Sequence, residues 1–396
     1  MSPGAVPSPA MRRRRPIEPV CPASADVLTL GRHAGLDAVG IAPASPMLRA
    51  RLALVERKAA GLHAGMSFTY KNPERSTDPG RAVAGAAAVV VGARRYQLES
   101  TPRLSDRESG RESGCESEDL LAPMAAIARY AWIDHYAPLR DSLKLVSTSL
   151  REHGWRTVVL ADDNSIVDRE IAWLAGIGWF GKNANLLLPG AGSWFVLGCV
   201  VTNAPLTVND TPMADGCGGC RRCLDGCPTG AIVAPGVVDG HRCLAWLLQK
   251  PGIFPAEYRR ALGDRIYGCD DCQEVCPPNV RFGRTRESVA RIVDRLNVLD
   301  LLTLDDEGLL ELVGRWYIHD RQPRWVRRNA LVVLGNSGNG HDPRTVAVMS
   351  RYLADADPML RAHATWTARR LGRDDLLPID DDDPIVRAER EAVVSR

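Results

Sequence analysis

From about residue 24 onward the chain alternates between two kinds of apolar pattern. Helical spacing falls at 24–34, 45–61, 138–153 and 165–175, whereas 84–92 (AGAAAVVVG), 156–161 (RTVVLA) and 193–202 (SWFVLGCVVT) read as buried strands. Together they predict an α+β domain over residues 23–205. Within it, 99–119 (ESTPRLSDRESGRESGCESED) is rich in Ser, Glu and Arg without apolar periodicity and reads as a flexible surface insert. Residues 1–22 read as a disordered extension.

Beyond about residue 295 the pattern becomes wholly helical. Trp325–Gly335, Pro343–Leu353 and Pro358–Leu371 follow one another, the last after the acidic turn Asp355-Ala356-Asp357. The prolyl starts, the aspartate turn and Leu360-Arg361-x-x-Ala364 resemble a HEAT-type repeat, giving a helical domain over 291–396. Solenoid ends are usually binding surfaces or caps.

A length of 396 residues allows two or three domains, and a net charge of +2 leaves any polyanion to be met by a local basic patch. Arg12 to Arg15 suggest an export signal, yet the following Pro16-Ile17-Glu18-Pro19-Val20 contains no apolar stretch. No run of about 18 apolar residues occurs anywhere, so no helix is expected to span a membrane.

Cysteine changes the picture most. Of eleven, eight lie between 217 and 276 in the runs Cys217-x2-Cys220-x2-Cys223-x3-Cys227-Pro228 and Cys269-x2-Cys272-x3-Cys276-Pro277, with Cys243 between them. The first run has the bacterial ferredoxin spacing, in which three thiolates hold one cubane and the fourth, before proline, reaches to a neighbouring one. The second run lacks its first cysteine, since Ile266 stands there, and Cys243 is the substitute. This assigns one 4Fe-4S cluster to Cys217, Cys220, Cys223 and Cys276 and the other to Cys227, Cys243, Cys269 and Cys272, within a ferredoxin-like domain at 206–290. Structural zinc is the alternative, but zinc sites usually offer two separated cysteine pairs. Such clusters need reduced thiols at assembly, so a reducing, cytoplasmic setting is expected, with Cys21, Cys115 and Cys199 free.

Further chemistry is expected in 156–183 (RTVVLADDNSIVDREIAWLAGIGWFGKN). Asp162 and Asp163 lie where a strand ends, a position at which a rigid element can hold a catalytic side chain at a cleft. Capping is the competing explanation for this segment, with Asn164 or Ser165 as N-cap and Asp168 completing a box from Ser165. That leaves Asp162 unexplained. Glycines 176, 178, 181, 190 and 192 allow close approach of a large ligand, and Lys182 with Asn183 is placed to touch a phosphate or amide unless the lysine is simply on the surface. In the tail, Arg321, Arg324, Arg327 and Arg328 surround Trp325, and 321, 324 and 328 would share a basic helical face suited to a phosphate backbone. A solvated helix face is the ordinary alternative.

These segments together resemble the epoxyqueuosine reductases. The resemblance runs from about Leu36 to Leu371 and is carried by 65–79 (GMSFTYKNPERSTDP), 127–136 (IARYAWIDHY), 161–198, 217–232 (CGGCRRCLDGCPTGAI), 265–277 (RIYGCDDCQEVCP) and 324–336 (RWVRRNALVVLGN). It implies a nitroreductase-like cobalamin domain, two 4Fe-4S clusters and a tRNA-binding tail in a monomeric enzyme. The implied reaction reduces epoxyqueuosine to queuosine at the wobble position of tRNA with a GUN anticodon. Electrons would come from a ferredoxin or flavodoxin, and bound cob(II)alamin would be reduced in turn. The resemblance makes Asp162 the proton donor and implies cobalamin contacts from Arg129, Lys182, Asn183 and Ser193. It departs at Trp132–Tyr136, where the family usually shows GRDYH. A cobalamin-dependent reductive dehalogenase and a plain ferredoxin-like electron carrier are the alternatives; the first is usually exported, and the second leaves the N-terminal domain without a task.

Overall fold

In the computed structural model of this chain, two uninterrupted apolar runs become the middle of a four-stranded antiparallel sheet. The strand order is Ala38–Pro43, Ala88–Arg95, Phe195–Thr202, Thr157–Ala161. The description covers residues 19–96, 122–209, 211–282 and 292–393. The expected insert at 99–119, with Cys115, and most of the extension at 1–22 lie outside it.

All eight residues of Phe195–Thr202 are buried, because helices cover both faces. Val90, Val196 and Val200 pack with Val27, Leu139, Leu143 and Val146 from the helices Ser24–His33 and Tyr136–Glu152. Their neighbours Val89, Val91, Leu197 and Val201 point the other way, toward Ala50 and Ile171 of the helices Leu48–Ala59 and Asp168–Leu174. Side chains of period two thus supply two cores from one sheet. Gly92 and Gly198 are paired across the central strands, and a Cβ at either would lie 2.7 Å from Leu36 or Leu143 respectively. Leu36, just beyond the first helix, and Leu143 can approach the strands this closely only over glycine.

A second, three-stranded sheet joins distant parts of the chain. Met124–Ile127 lies between Arg265–Tyr267, to which it is parallel, and Arg295–Asn297, to which it is antiparallel. Ala125, Ile127 and Trp132 therefore belong to one core with Leu244, Leu262 and Ile266 and with the tail helices Val298–Thr303, Arg324–Ser337, Pro343–Leu353 and Pro358–Arg370. The cores thus cut across the expected boundaries at 205/206 and 290/291, since strands of three or four residues are too short to show a period. The tail helices begin as expected: proline occupies the first turn, and Asp342 and Asp357 accept hydrogen bonds from Thr345 N and Met359 N. Among the described residues no helix is long and apolar enough to cross a membrane.

Gly198→Val is expected to lower unfolding stability by about 1–3 kcal/mol through overpacking against Leu143 and Ala161. A denaturant midpoint that falls while the slope stays constant is the check.

Candidate functional site

The first cysteine run is shaped by its own backbone. Gly218 takes a left-handed φ of 48°, Cys220 N donates to Cys217 O, and Asp215 accepts from Cys217 N at 2.9 Å. Cys223 enters a single helical turn, Arg222–Asp225. Ala231 N points at Cys227 Sγ from 3.2 Å. Thr229 ties this run to the Cys243 segment by donating to Arg242 O at 2.6 Å.

Several of the buried thiols lie in one another's fields. Cys276 is pushed up to about 11 by burial and then by Cys217, Cys223 and Cys220, all from the first run. Cys272 is raised by burial and then chiefly by Cys243, Asp270 and Cys227, and Cys269 by burial with Cys272 among its neighbours. Cys243 is raised by burial and feels Cys227. Cys276 thus lies beside the first run and Cys272 beside Cys243 and Cys227, with Cys223 also in the field of Cys272. Crowded, buried thiols of this kind resist ionisation on their own, whereas a cationic metal core reverses that balance and deprotonates them. Among the described residues no group of three or more His, Cys, Asp or Glu side chains is arranged to hold a metal ion. A polar orphan fits the same reading. Trp179 Nε1 is buried without a partner, packed against Gly216 just before Cys217, where a sulfur acceptor would satisfy it.

The four residues expected to touch cobalamin lie along the seam between the N-terminal sheet domain and these loops, and three of them bind the loops. Lys182 Nζ donates to Gly218 O at 2.5 Å and Cys220 O at 2.9 Å. Asn183, buried, donates to Cys272 O at 3.1 Å. Ser193, also buried, donates to Gln273 Oε1 and accepts from Asn279 Nδ2, both at 2.9 Å. The polar atoms of these three side chains face the cysteine-bearing loops. Arg129 lies on the same seam: its backbone N–H donates to Asp270 at 2.7 Å, and its guanidinium is 5.1 Å from both the Trp132 and Trp194 rings. Asp270 is pushed up to about 6 by burial, against the pull of that N–H.

Asp162 follows the strand Thr157–Ala161 and adopts a φ of 57°, a left-handed conformation that costs roughly 1–2 kcal/mol in a non-glycine residue. Its carboxyl is raised above the usual carboxylate range: partial burial leads, Arg140 opposes, and Asp168, Asp134 and Asp163 add repulsion. The tyrosines Tyr136 and Tyr267 lie in its field, each held neutral to higher pH mainly by burial. The expected capping box does not form. The helix starts at Asp168 behind Val167, which has no capping side chain, and Ser165 N instead bonds Asp163 Oδ1 in a local turn.

The basic stripe also needs correction. Arg328 is 1% exposed, and its guanidinium donates to the carbonyls of Leu247, Leu248, Lys250 and Gly252 at 2.7–3.3 Å. Burial and the nearby Arg259 push it down to about 9. Arg327 is buried against Asp306 and donates to Leu304 O. Helical spacing does align 324 with 328, but their helix is enclosed from Trp325 to Gly335. Arg321 and Arg324 remain exposed. Arg321 bonds the carbonyls of Gly314 and Trp316, and Arg324 lies 4.3 Å over Trp325 and 3.3 Å from Asp357.

Residues 216–279 match a family model described as a 4Fe-4S double cluster binding domain. The chain is 32% identical to the epoxyqueuosine reductase of Bacillus cereus over 359 residues, covering 88% of this chain and 89% of that protein. It is 36% identical to that of Shewanella oneidensis over 285 residues, covering 65% and 72%. A crystal structure of epoxyqueuosine reductase with an epoxyqueuosine-modified tRNA-Tyr stem loop is similar at a TM-score of 0.79 and 26% identity, over 92% of this chain and 96% of that one.

Arg328→Met should destabilise the protein by about 2–4 kcal/mol, since the carbonyls of Leu247, Leu248, Lys250 and Gly252, the first two buried, would lose their charged donor. The same unfolding measurement on Arg324→Met should move little, because that pair is exposed.

Proposed function

This chain belongs to the epoxyqueuosine reductase family, and from that premise we propose that it reduces epoxyqueuosine to queuosine at the wobble position of tRNA with a GUN anticodon. Opening and removing the epoxide takes two electrons and two protons: both carbon–oxygen bonds break, a carbon–carbon double bond forms and the oxygen leaves as water. Two tasks follow for the protein, which are to deliver electrons and to protonate the departing oxygen.

Proton delivery is assigned to Asp162. Its raised carboxyl holds a proton to higher pH than a free aspartate, and its left-handed backbone aims it from the end of a rigid strand. Electron delivery is assigned to the two groups of four cysteines. When bound, each cubane supplies one-electron storage and transfer. The observation that carries the proposal is the shared neighbour Tyr267, which lies in the field of Asp162 and two residues before Cys269. Asp162 is thus within electrostatic range of the segment that carries Cys269.

Cobalamin stays in the proposal on the resemblance alone; when bound it would provide a cobalt centre able to take up electrons one at a time. Lys182, Asn183 and Ser193 spend their polar groups on the cysteine-bearing loops, so of the four side chains the resemblance implies, Arg129 is the one we assign to cobalamin. We further assign a nitroreductase-like role to the sheet domain and a HEAT-like, tRNA-holding role to the tail, with a ferredoxin or flavodoxin as donor. Of the arginine group, Arg321 and Arg324 are the pair left to meet phosphate.

The test is anaerobic incubation of the cluster-loaded protein, with and without cobalamin, on epoxyqueuosine tRNA, followed by nucleoside mass spectrometry. Loss of one oxygen is expected; no loss with both clusters intact would sink the reading. Asp162→Asn should cut turnover by about 10²–10⁴ while keeping its iron. In the wild type, turnover should fall as pH rises through the raised Asp162 value, because the acid must be protonated to act, and Asp162→Asn should lose that limb. Arg321→Ala with Arg324→Ala should weaken tRNA binding and flatten its logarithmic salt slope by roughly 0.7–0.9 for each phosphate that is no longer neutralised. An unchanged slope would remove the pair from the interface.

A further inference from the structure

We infer that Lys182 sets the reduction potential of the cluster held by Cys217, Cys220, Cys223 and Cys276, making it the stronger electron acceptor of the two. The inference rests on the reading of the eight cysteines as cubane ligands. It concerns how electrons are apportioned between the clusters, and it gives the N-terminal domain an electrostatic part in electron transfer.

Lys182 is delivered by a stiff loop. The hairpin strands Trp179–Phe180 and Leu186–Leu187 flank it. Gly181 N bonds Asn185 O at 2.7 Å, Ala184 N bonds Gly181 O at 2.9 Å, and Lys182 O accepts from Gly236 N at 2.9 Å. No Cβ can be added at Gly181, since it would lie 2.4 Å from Leu187 and 2.8 Å from Asn183 Oδ1. The ammonium therefore has little freedom once its two bonds to Gly218 O and Cys220 O are made. Those carbonyls belong to the stretch joining two ligand cysteines, so a full positive charge is fixed within the loop that wraps the cluster.

That charge is uncompensated locally. Among the described residues Lys182 has no carboxylate partner; Asp215 is engaged with Cys217 N, and Asp225 with Arg221. The other cluster loop is treated differently. There the anchor from the same hairpin is the neutral amide of Asn183 on Cys272 O, and the loop carries the carboxylates Asp270 and Asp271, the latter paired with Arg265. A cubane becomes more negative by one charge on reduction, and a nearby cation favours that form while carboxylates oppose it. Each loop carries two engaged carboxylates, Asp215 and Asp225 on one and Asp270 and Asp271 on the other, so the difference between them is the ammonium that one receives and the neutral amide that the other receives, and an electron should rest on the Cys217 side. Gly218, Gly219 and Arg221 are exposed there, so the same side is accessible to a donor protein.

The experiment is an electron-paramagnetic-resonance redox titration of the full-length, cluster-loaded protein and three variants. Lys182→Gln keeps a donor but removes the charge, and should shift the first cluster toward its oxidised form by about tenfold at fixed potential, which is about 59 mV lower for a one-electron couple. Lys182→Arg should stay within about threefold of wild type, and the second cluster should move less than the first. Lys182→Met keeps the stem and serves if the amide variant does not assemble. A wild-type midpoint in whichever neutral variant holds both clusters overturns the inference. If neither neutral variant holds them while Lys182→Arg does, the lysine is a loop staple, and the inference again falls. Iron and sulfide analysis of the wild type separates this from failure of the underlying reading, in which case no clusters would be present at all.

Discussion

The rest of the structure depends on holding buried thiols within one another's fields, where burial and repulsion oppose their ionisation. Burial and mutual repulsion raise Cys243, Cys269, Cys272 and Cys276 before any metal is considered, and the loops that bear them are short and rich in glycine. Such loops have little core of their own, so their order must be imported. It comes from both sides. Lys182, Asn183 and Ser193 grip these loops from the sheet domain, while Arg328 and Asn329 grip the 247–252 turn from the tail. Both grips work chiefly through donors on carbonyls, which leaves the sulfurs free to bind.

This explains which parts are legible in the sequence. Cysteine spacing is local, and Pro343 and Pro358 mark helix starts that the structure places at those residues. Asp162 stands out because a strand ends there without a capping role for it. The partners of Lys182 and Asn183 are not legible for a physical reason: a polar pair in a glycine-rich loop looks the same whether its partner is a ligand or a carbonyl 36 to 89 positions away. The same holds for Arg328. Spacing on a helix tells which residues share a face, but it is silent about what covers that face, and here the cover is the 247–252 turn. The strand Met124–Ile127 escapes detection because four residues carry too little pattern, although its two partners make it the centre of the second sheet.

The acid site follows the opposite strategy from the thiol loops. Asp162 keeps much of its surface open to solvent, yet its carboxyl is raised, first by partial burial, against the opposing charge of Arg140, and then by the carboxylates at 168, 134 and 163. A group of like charges favours sharing protons over losing them all. An aspartate arranged this way can remain a proton donor without being sealed from solvent, which matters if its substrate must enter as part of a macromolecule. The left-handed backbone at Asp162 is tolerated because that conformation is less costly for an aspartate than for most side chains.

The tail shows how far the holding network extends. Arg259 and Arg328 are both buried and repel each other, as the lowered Arg328 records. Arg259 is neutralised by two bonds from its guanidinium to Glu389, at 2.6 and 2.8 Å, in the helix Pro384–Glu391. Arg328 is met by carbonyl dipoles and the Asn329 amide oxygen rather than by a carboxylate. His363 beside them is held far below its ordinary value, by burial first and then by Arg259, and its two ring nitrogens suit the neutral form, one bonded to Met359 O and the other accepting from Phe254 N. A charged His363 would add a third buried cation to a site balanced by a single carboxylate. The last described helix is therefore part of the same electrostatic balance that lets Arg328 grip the cysteine module, and removing Glu389 would be felt at the 247–252 turn through Arg259 and Arg328 in sequence.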